Sequence, residues 1–173
     1  MRYRYKNKGK DFTLSDTSEK GVGTLTTQKL RLQVRYAPAS SWLLKTSLDG
    51  SQVDFVTKEG PDRGFVCGES VTFAPKAFPC SFDVTGAYFH TDSYDSRQTV
   101  YEKGLLNAFS FSSYYGRGVR CAAQVRCDLG EHWMLLAKYG WTRYADRESI
   151  GTSQQLIEGH LKRDVQLQVR VKF

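Results

Sequence analysis

The stretch Val119-Arg-Cys-Ala-Ala-Gln-Val-Arg-Cys-Asp-Leu129 alternates almost without interruption between apolar and polar residues. Successive side chains of a β-strand point to opposite faces of a sheet, so this pattern predicts a strand with one apolar and one polar face. Two further stretches, Lys29 to Tyr36 and Val165 to Phe173, repeat the pattern. The sequence therefore predicts an antiparallel all-β fold whose strands each have one apolar face.

Weaker alternation predicts the remaining strands, at 42–49, 65–73, 81–88 and 132–144. Glu69 interrupts the apolar face of the second of these, and a bulge or a solvated edge of the apolar band would accommodate it. A short additional strand near Arg97 to Glu102 is needed to keep the direction of the strands consistent. We expect nine or ten strands in all.

Length and composition narrow the class of protein. The 173 residues predict a single domain, residues 1–173, with a formal net charge of +7. No run approaches the roughly 20 apolar residues of a spanning helix, which excludes a helical membrane protein. The aromatic content of 13% argues against disorder. A chain that is polar on average but locally patterned fits an up-and-down transmembrane β-barrel, or its C-terminal strands.

The connections between strands differ in length. Ala37 to Ser41, Ala74 to Pro79 and Leu129 to His132 are short, whereas Lys8 to Gly23 and Asp146 to Arg163 are long and polar. Outer-membrane barrels have short periplasmic turns and long extracellular loops. The sequence therefore predicts long polar loops on one side of the barrel.

Two features of the apolar face favour the outer membrane over a soluble ligand-binding barrel, in which that face would point inward. Aromatic residues near the strand ends resemble the belts at membrane interfaces. The chain also closes on an apolar alternating strand that resembles the signal read by the barrel assembly machinery. The residues concerned are Trp133, Tyr139 and Trp141 for the belt, and Val165, Leu167, Val169, Val171 and Phe173 for the assembly signal.

The opposite face carries the basic residues. Arg31, Arg35, Arg120, Arg126, Lys138 and Arg170 are predicted to be lumen charges. Aspartates on the same strands would balance them in a structural lumen. The functional alternative is a pore or vestibule that favours anionic solutes.

Two stretches resemble a known family. They are Tyr94-Asp-Ser-Arg97 with Tyr114-Tyr-Gly-Arg-Gly118, and Asp146-Arg-Glu-Ser-Ile-Gly151 with the closing strand. Together they resemble the C-terminal β-barrel of Bacteroidetes helix-hairpin-helix proteins, which are related to the DNA-uptake protein ComEA. The resemblance implies that the chain is the last part of a larger barrel. It also implies that any DNA contact belongs to an upstream domain that this sequence does not contain.

Cysteine and histidine positions offer few chemical sites. Cys67 and Cys80 flank a turn and could form a disulfide in an oxidising envelope, or they are two small lipid-facing apolar residues. The three histidines are scattered and no CxxC pair occurs, so we expect no metal and no cofactor. His90, near Asp92 and Ser93, is the best candidate for a hydrolase. We predict instead a non-enzymatic outer-membrane anchor or transport scaffold whose partners are the lipid bilayer and the barrel assembly machinery.

Overall fold

The computed structural model describes residues 1–13, 20–55, 60–107, 112–151, 154 and 156–172. Within these ranges the chain forms twelve β-strands and no α-helix. The described residues contain no helix of a length and hydropathy that could cross a bilayer. The strands are β1 Arg2–Thr13, β2 Lys20–Ala39, β3 Trp42–Phe55, β4 Asp62–Phe73, β5 Cys80–Thr91, β6 Gln98–Thr99, β7 Ser113–Tyr114, β8 Arg117–Leu129, β9 Trp133–Tyr144, β10 Ser149–Ile150, β11 Ile157–Glu158 and β12 Leu161–Val171.

Eight of these strands form one antiparallel up-and-down sheet in the order β1-β2-β3-β4-β5-β8-β9-β12. Each strand of this sheet pairs with the next sheet strand along the chain; between β5 and β8 the chain forms β6 and β7, which belong to a separate sheet. The all-β, antiparallel prediction is thus confirmed. β1 and β12 are the two edges, and within the described residues they are not hydrogen-bonded to one another.

The expected nine or ten strands differ from the observed number, since the described residues form eight strands in the main sheet and four two-residue strands in two small sheets. The predicted strand at Arg97 to Glu102 contains only β6, which pairs with β7 in a separate two-stranded sheet. The segment from Asp92 to Gly116 leaves β5 and returns to β8 at the same end of the sheet. Because β5 and β8 are adjacent antiparallel strands, the chain directions are consistent without an additional strand between them.

The two ends of the sheet differ in the length of their connections. Residues 40–41, 74–79 and 130–132 make the short turns, and the longer connections lie at the opposite end. The expected loop from Lys8 to Gly23 is largely strand, since β1 pairs with β2 from Arg2↔Arg31 to Thr13↔Lys20. Most of its residues are polar, so alternation gives no clear strand signal, but the backbone ladder forms nonetheless.

The two faces of the sheet have opposite environments. On the polar face many side chains are buried, whereas the apolar face is largely exposed, which inverts the usual arrangement of a soluble protein. Buried polar-face residues are Asp49, Ser51, Asp83, Thr85, Arg120, Gln124, Lys138 and Thr142. Exposed apolar-face residues include Leu32, Val34, Leu48, Val84, Leu135, Val165, Leu167 and Val169.

Glu69 lies on the apolar face without a bulge. The register between β3 and β4 and between β4 and β5 is continuous, with Glu69 opposite Thr46 on one side and Gly86 on the other. The hydroxyl of Thr46 donates a 2.6 Å hydrogen bond to Glu69 Oε2. Of the two alternatives for Glu69, the bulge is therefore wrong, and a cross-strand hydroxyl partners the carboxylate.

Candidate functional site

Among the described residues, the connection between β5 and β8 covers the polar face. We call residues 92–107 and 112–116, which join β5 to β8, the inner segment. Alternation places most polar side chains of the eight sheet strands on one face, and the inner segment meets that face through ion pairs and hydrogen bonds. The resulting polar interior is the candidate functional site.

Arg120 of β8 is the centre of the interior. Its side chain is 3% exposed and donates hydrogen bonds of 2.5 and 3.1 Å to the two carboxylate oxygens of Asp164 in β12. Its Nη2 also donates to Glu102 Oε2 at 3.1 Å. A Cβ at position 140 would lie 2.3 Å from Arg120 Nη2, so Gly140 makes room for the guanidinium. A buried cation needs such partners because desolvation is costly.

Lys138 of β9 extends the same network. Its ammonium lies 3.2 Å from Glu102 Oε2 and donates a 2.7 Å hydrogen bond to the carbonyl of Lys103. Glu102, on the inner segment, therefore lies between two buried cations of the sheet. The next residue of the inner segment, Lys103, also pairs with the sheet but supplies the cation. Its ammonium lies 2.6 Å from the carboxylate of Asp83 in β5.

Neutral hydrogen bonds hold the inner segment elsewhere. Ser51 of β3 donates to the carbonyl of Ser96 at 3.1 Å and accepts from the Gln98 amide at 2.5 Å. The backbone of Leu106 exchanges two hydrogen bonds with the side-chain amide of Gln168 in β12, at 2.9 and 3.1 Å.

The inner segment also reaches the opposite edge of the sheet. Asp95 forms a 2.7 Å ion pair with Lys10 of β1. The inner segment therefore contacts both edge strands, β1 here and β12 through Leu106.

An aromatic cluster closes the interior near the long connections. Phe89 is fully buried, and its ring lies 5.2 Å from that of Tyr114 and 5.6 Å from that of Tyr144. Burial raises the pKa of Tyr114 to about 12, against the opposing effect of the Arg120 guanidinium. A Cβ at Gly118 would lie 2.7 Å from the Phe89 ring, so glycine is required at this position.

A polar cavity of about 530 Å³ lies between the inner segment and β8, β9 and β12. Arg120, Gln124 and Lys138 line it, together with Asp83 and Asp164. Arg120 Nε and Gln124 Oε1 are buried and make no hydrogen bond with the described residues. The cavity is of a size that suits a small polar solute.

The predicted lumen charges fall into three groups. Arg120 and Lys138 belong to the buried network, and Arg31 pairs with Asp49. Arg126 forms an exposed pair with Asp128 of its own strand. Arg35 and Arg170 are exposed on the polar face. Sequence reasoning missed Glu102, Lys103 and Asp164, because their role depends on contacts distant in the chain.

The predicted aromatic belt and assembly signal share the apolar face. Trp133, Tyr139 and Trp141 alternate with buried polar-face residues of β9, whereas the polar-face residues between the apolar residues of β12 are exposed or half-buried. Phe173 lies outside the described residues. The structure adds an aromatic row at the short-turn end that the sequence did not single out. In it Trp42 lies 4.5 Å from Phe73, which lies 6.5 Å from Phe82, as ring centroid distances.

Of the two alternatives for Cys67 and Cys80, the disulfide between them is wrong. Cys80 instead pairs with Cys127, directly opposite it in the β5–β8 ladder with Cα atoms 4.0 Å apart, and Cys67 is free. The hairpin of β4 and β5 turns about four residues later than the cysteine spacing suggests. Cys67 consequently faces Tyr88 across the ladder.

The hydrolase candidate does not form a catalytic arrangement in the described residues. His90 Nε2 lies 3.8 Å from Asp92, and its ring stacks on Phe65 at the apolar face. The hydroxyl of Ser93 donates to Asp62 instead. No cluster of three or more His, Cys, Asp or Glu residues suited to a metal occurs in the described ranges.

Comparison with known proteins gave no match to any family model, curated protein or solved structure. The site is therefore interpreted from its own geometry. That geometry consists of an exposed apolar face, a polar face covered by the inner segment, and paired charges between the two.

Proposed function

We propose that this chain is a non-enzymatic β-sheet component of the bacterial outer membrane that acts as an anchor or transport scaffold. The exposure of its apolar face carries the proposal. Val165, Leu167 and Val169 of β12 are 67%, 74% and 60% exposed, while charged side chains are buried on the other face. A contiguous apolar surface of this kind is unfavourable in water and is expected against lipid.

The dimensions of the apolar face fit a bilayer. Phe65 and Phe73 mark the two ends of the apolar stretch of β4, and Trp133 and Trp141 have the same spacing on β9. At about 3.3 Å per residue this spacing is roughly 26 Å along a strand, or about 20 Å of membrane depth at a tilt near 40°. Aromatic side chains favour such interfaces.

The covered polar face favours an anchor over an open pore. Glu102 and Lys103 form ion pairs with the sheet, so the inner segment lies against the face that would line a lumen. The resemblance noted above extends the proposal, with the anchor holding an upstream helix-hairpin-helix domain that would supply any contact with DNA.

The two ends of the sheet suggest an orientation. We place the short turns in the periplasm and the longer connections outside the cell. The proposed partners are the bilayer and the barrel assembly machinery, which would read the apolar residues of β12. The disulfide between Cys80 and Cys127 supports an oxidising compartment.

Heat-modifiable mobility on a detergent gel tests the proposal. The chain is refolded into micelles, and boiled and unboiled samples are compared with a parallel sample refolded without detergent. We expect a compact band that converts to the unfolded mobility on boiling and that forms only with detergent.

A folded monomer without detergent would refute the membrane proposal and would support the soluble barrel. Circular dichroism of both samples checks that the compact band contains β-structure. Full exposure of the inner segment to protease in the folded micellar form would argue against a closed interior.

A further inference from the structure

The polar face of β1 carries an unbroken row of cations. Arg2, Arg4, Lys6, Lys8 and Lys10 occupy alternate positions and therefore point to one side of the strand. The ion pair of Lys10 with Asp95 of the inner segment identifies that side as the polar face of the sheet. The row lies beside the basic residues of β2, since Arg2 is opposite Arg31 and Arg4 is opposite Lys29.

A cavity of about 170 Å³ lies where these two strands meet the inner segment. Its basic lining consists of Arg2 and Arg4 from β1 with Lys29 and Arg31 from β2. Asp49 of β3 is the one carboxylate in the lining. The cavity is separate from the larger one beside Arg120.

The charges of the cavity do not balance. Arg31 Nε lies 2.5 Å from Asp49 Oδ1, and this pair accounts for the single carboxylate. Arg2, Arg4 and Lys29 form no ion pair with any residue in the described part of the chain. With four cations and one carboxylate, the cavity has a formal charge of +3. Like charges held this close favour an anion as their counterion.

The wall opposite the cations is fixed before any ligand arrives. Gln98 is 3% exposed, and its amide donates to Ser51 and to the carbonyl of Ser96. Its neighbour Thr99 pairs with Ser113 in the small sheet. Because these side chains are already held in place, ligand binding loses less conformational entropy.

We propose that this cavity binds a phosphate group. Its volume is below the 300 Å³ or so of sites for drug-sized ligands, so it suits a single small anionic group. Arginine side chains present planar forks that match phosphate oxygens, and three arginines line the cavity. The group comes either from free inorganic phosphate or from a phosphomonoester lipid headgroup. The inference goes beyond the proposed anchor role and is tested by a separate measurement.

Calorimetric titration of the folded 173-residue chain with inorganic phosphate, at constant ionic strength set by chloride, tests the site. We expect Arg4→Gln and Lys29→Gln each to weaken binding at least tenfold, since each removes a charge-assisted contact. Arg35→Gln is the matched control, because Arg35 lies on the same face of β2 about 13 Å along the strand from Arg31. Its affinity should stay within about twofold of the unmodified chain.

A second titration uses mixed micelles that contain phosphatidic acid, with phosphatidylcholine micelles as the reference. Binding of inorganic phosphate supports a free ion as the source, and binding of phosphatidic acid micelles alone supports a lipid headgroup. Binding of neither overturns the proposal. An equal loss in Arg4→Gln and Arg35→Gln also overturns it, since it would show a general effect of charge. Arg4→Lys, which keeps the charge but loses the fork, should bind with intermediate affinity.

Discussion

Reduction of the disulfide between Cys80 and Cys127 should lower the stability of the folded chain by a calculable amount. The two cysteines are separated by 47 positions, and the bond closes that loop in the unfolded state. The chain-entropy expression gives about 14 cal/mol/K for such a loop, or about 4 kcal/mol at 25 °C. With a urea dependence near 2 kcal/mol/M, the unfolding midpoint should fall by about 2 M.

The assay is urea unfolding followed by tryptophan fluorescence, with and without reductant. Cys80→Ala with Cys127→Ala should reproduce the effect of the reductant, while the matched pair Cys67→Ala with Cys121→Ala should respond to reductant as the unmodified chain does. Thiol labelling of the unfolded, unreduced chain should find two free cysteines, Cys67 and Cys121. A peptide that links Cys67 to Cys80, or an unchanged midpoint on reduction, would refute the reasoning.

Three further predictions concern the polar interior and the apolar face. Glu102→Gln leaves Lys138 buried without a carboxylate and should lower the free energy of unfolding in urea by about 3 kcal/mol. Proteolysis of the inner segment should become faster, and an unchanged cleavage rate would contradict the bridging role of Glu102. Leu167→Arg should destabilise the micellar form by about 2–4 kcal/mol in the same unfolding assay, whereas Gln166→Arg, on the polar face, should have little effect. Equal effects of the two variants would count against a lipid-facing β12. Tyr114 should ionise near pH 12 in an ultraviolet titration, and Tyr114→Phe should remove that late step. Because its folded pKa is raised, its contribution to stability is complete below about pH 10 and is lost as the pH rises towards 12.

Alternation predicted the strands wherever the two faces differ in polarity. The stretch Val119 to Leu129 lies within β8 with its faces as expected, and β2 and β12 follow the same rule. Beyond Tyr5 the β1–β2 hairpin is mostly polar on both sides, and its few apolar residues, Phe12, Val22 and Leu25, do not alternate. Periodicity gave no signal there, although the backbone ladder continues to Thr13.

The candidate site was harder to predict, because its partners are distant in the chain. Arg120 and Lys138 could be assigned to the polar face, but nothing local indicates that Glu102 lies between them. The disulfide partner of Cys80 could not be predicted for a related reason. Ladder register depends on where the hairpin turns, and a shift of a few residues moved the partner of Cys80 from one neighbouring strand to the other.

The contacts of the inner segment with both edge strands set a limit on the distance between those edges. Asp95 pairs with Lys10 of β1 and Leu106 with Gln168 of β12, so eleven residues of chain span the sheet from one margin to the other. Extended backbone covers at most about 3.6 Å per residue, which limits the separation of Asp95 and Leu106 to about 40 Å, and the side chains of Lys10 and Gln168 extend this reach to the edges. The length of the inner segment therefore limits how far apart the two edges can lie, and so how flat the sheet can be. A deletion between Asp95 and Leu106 would tighten the curvature of the sheet, and an insertion would relax it.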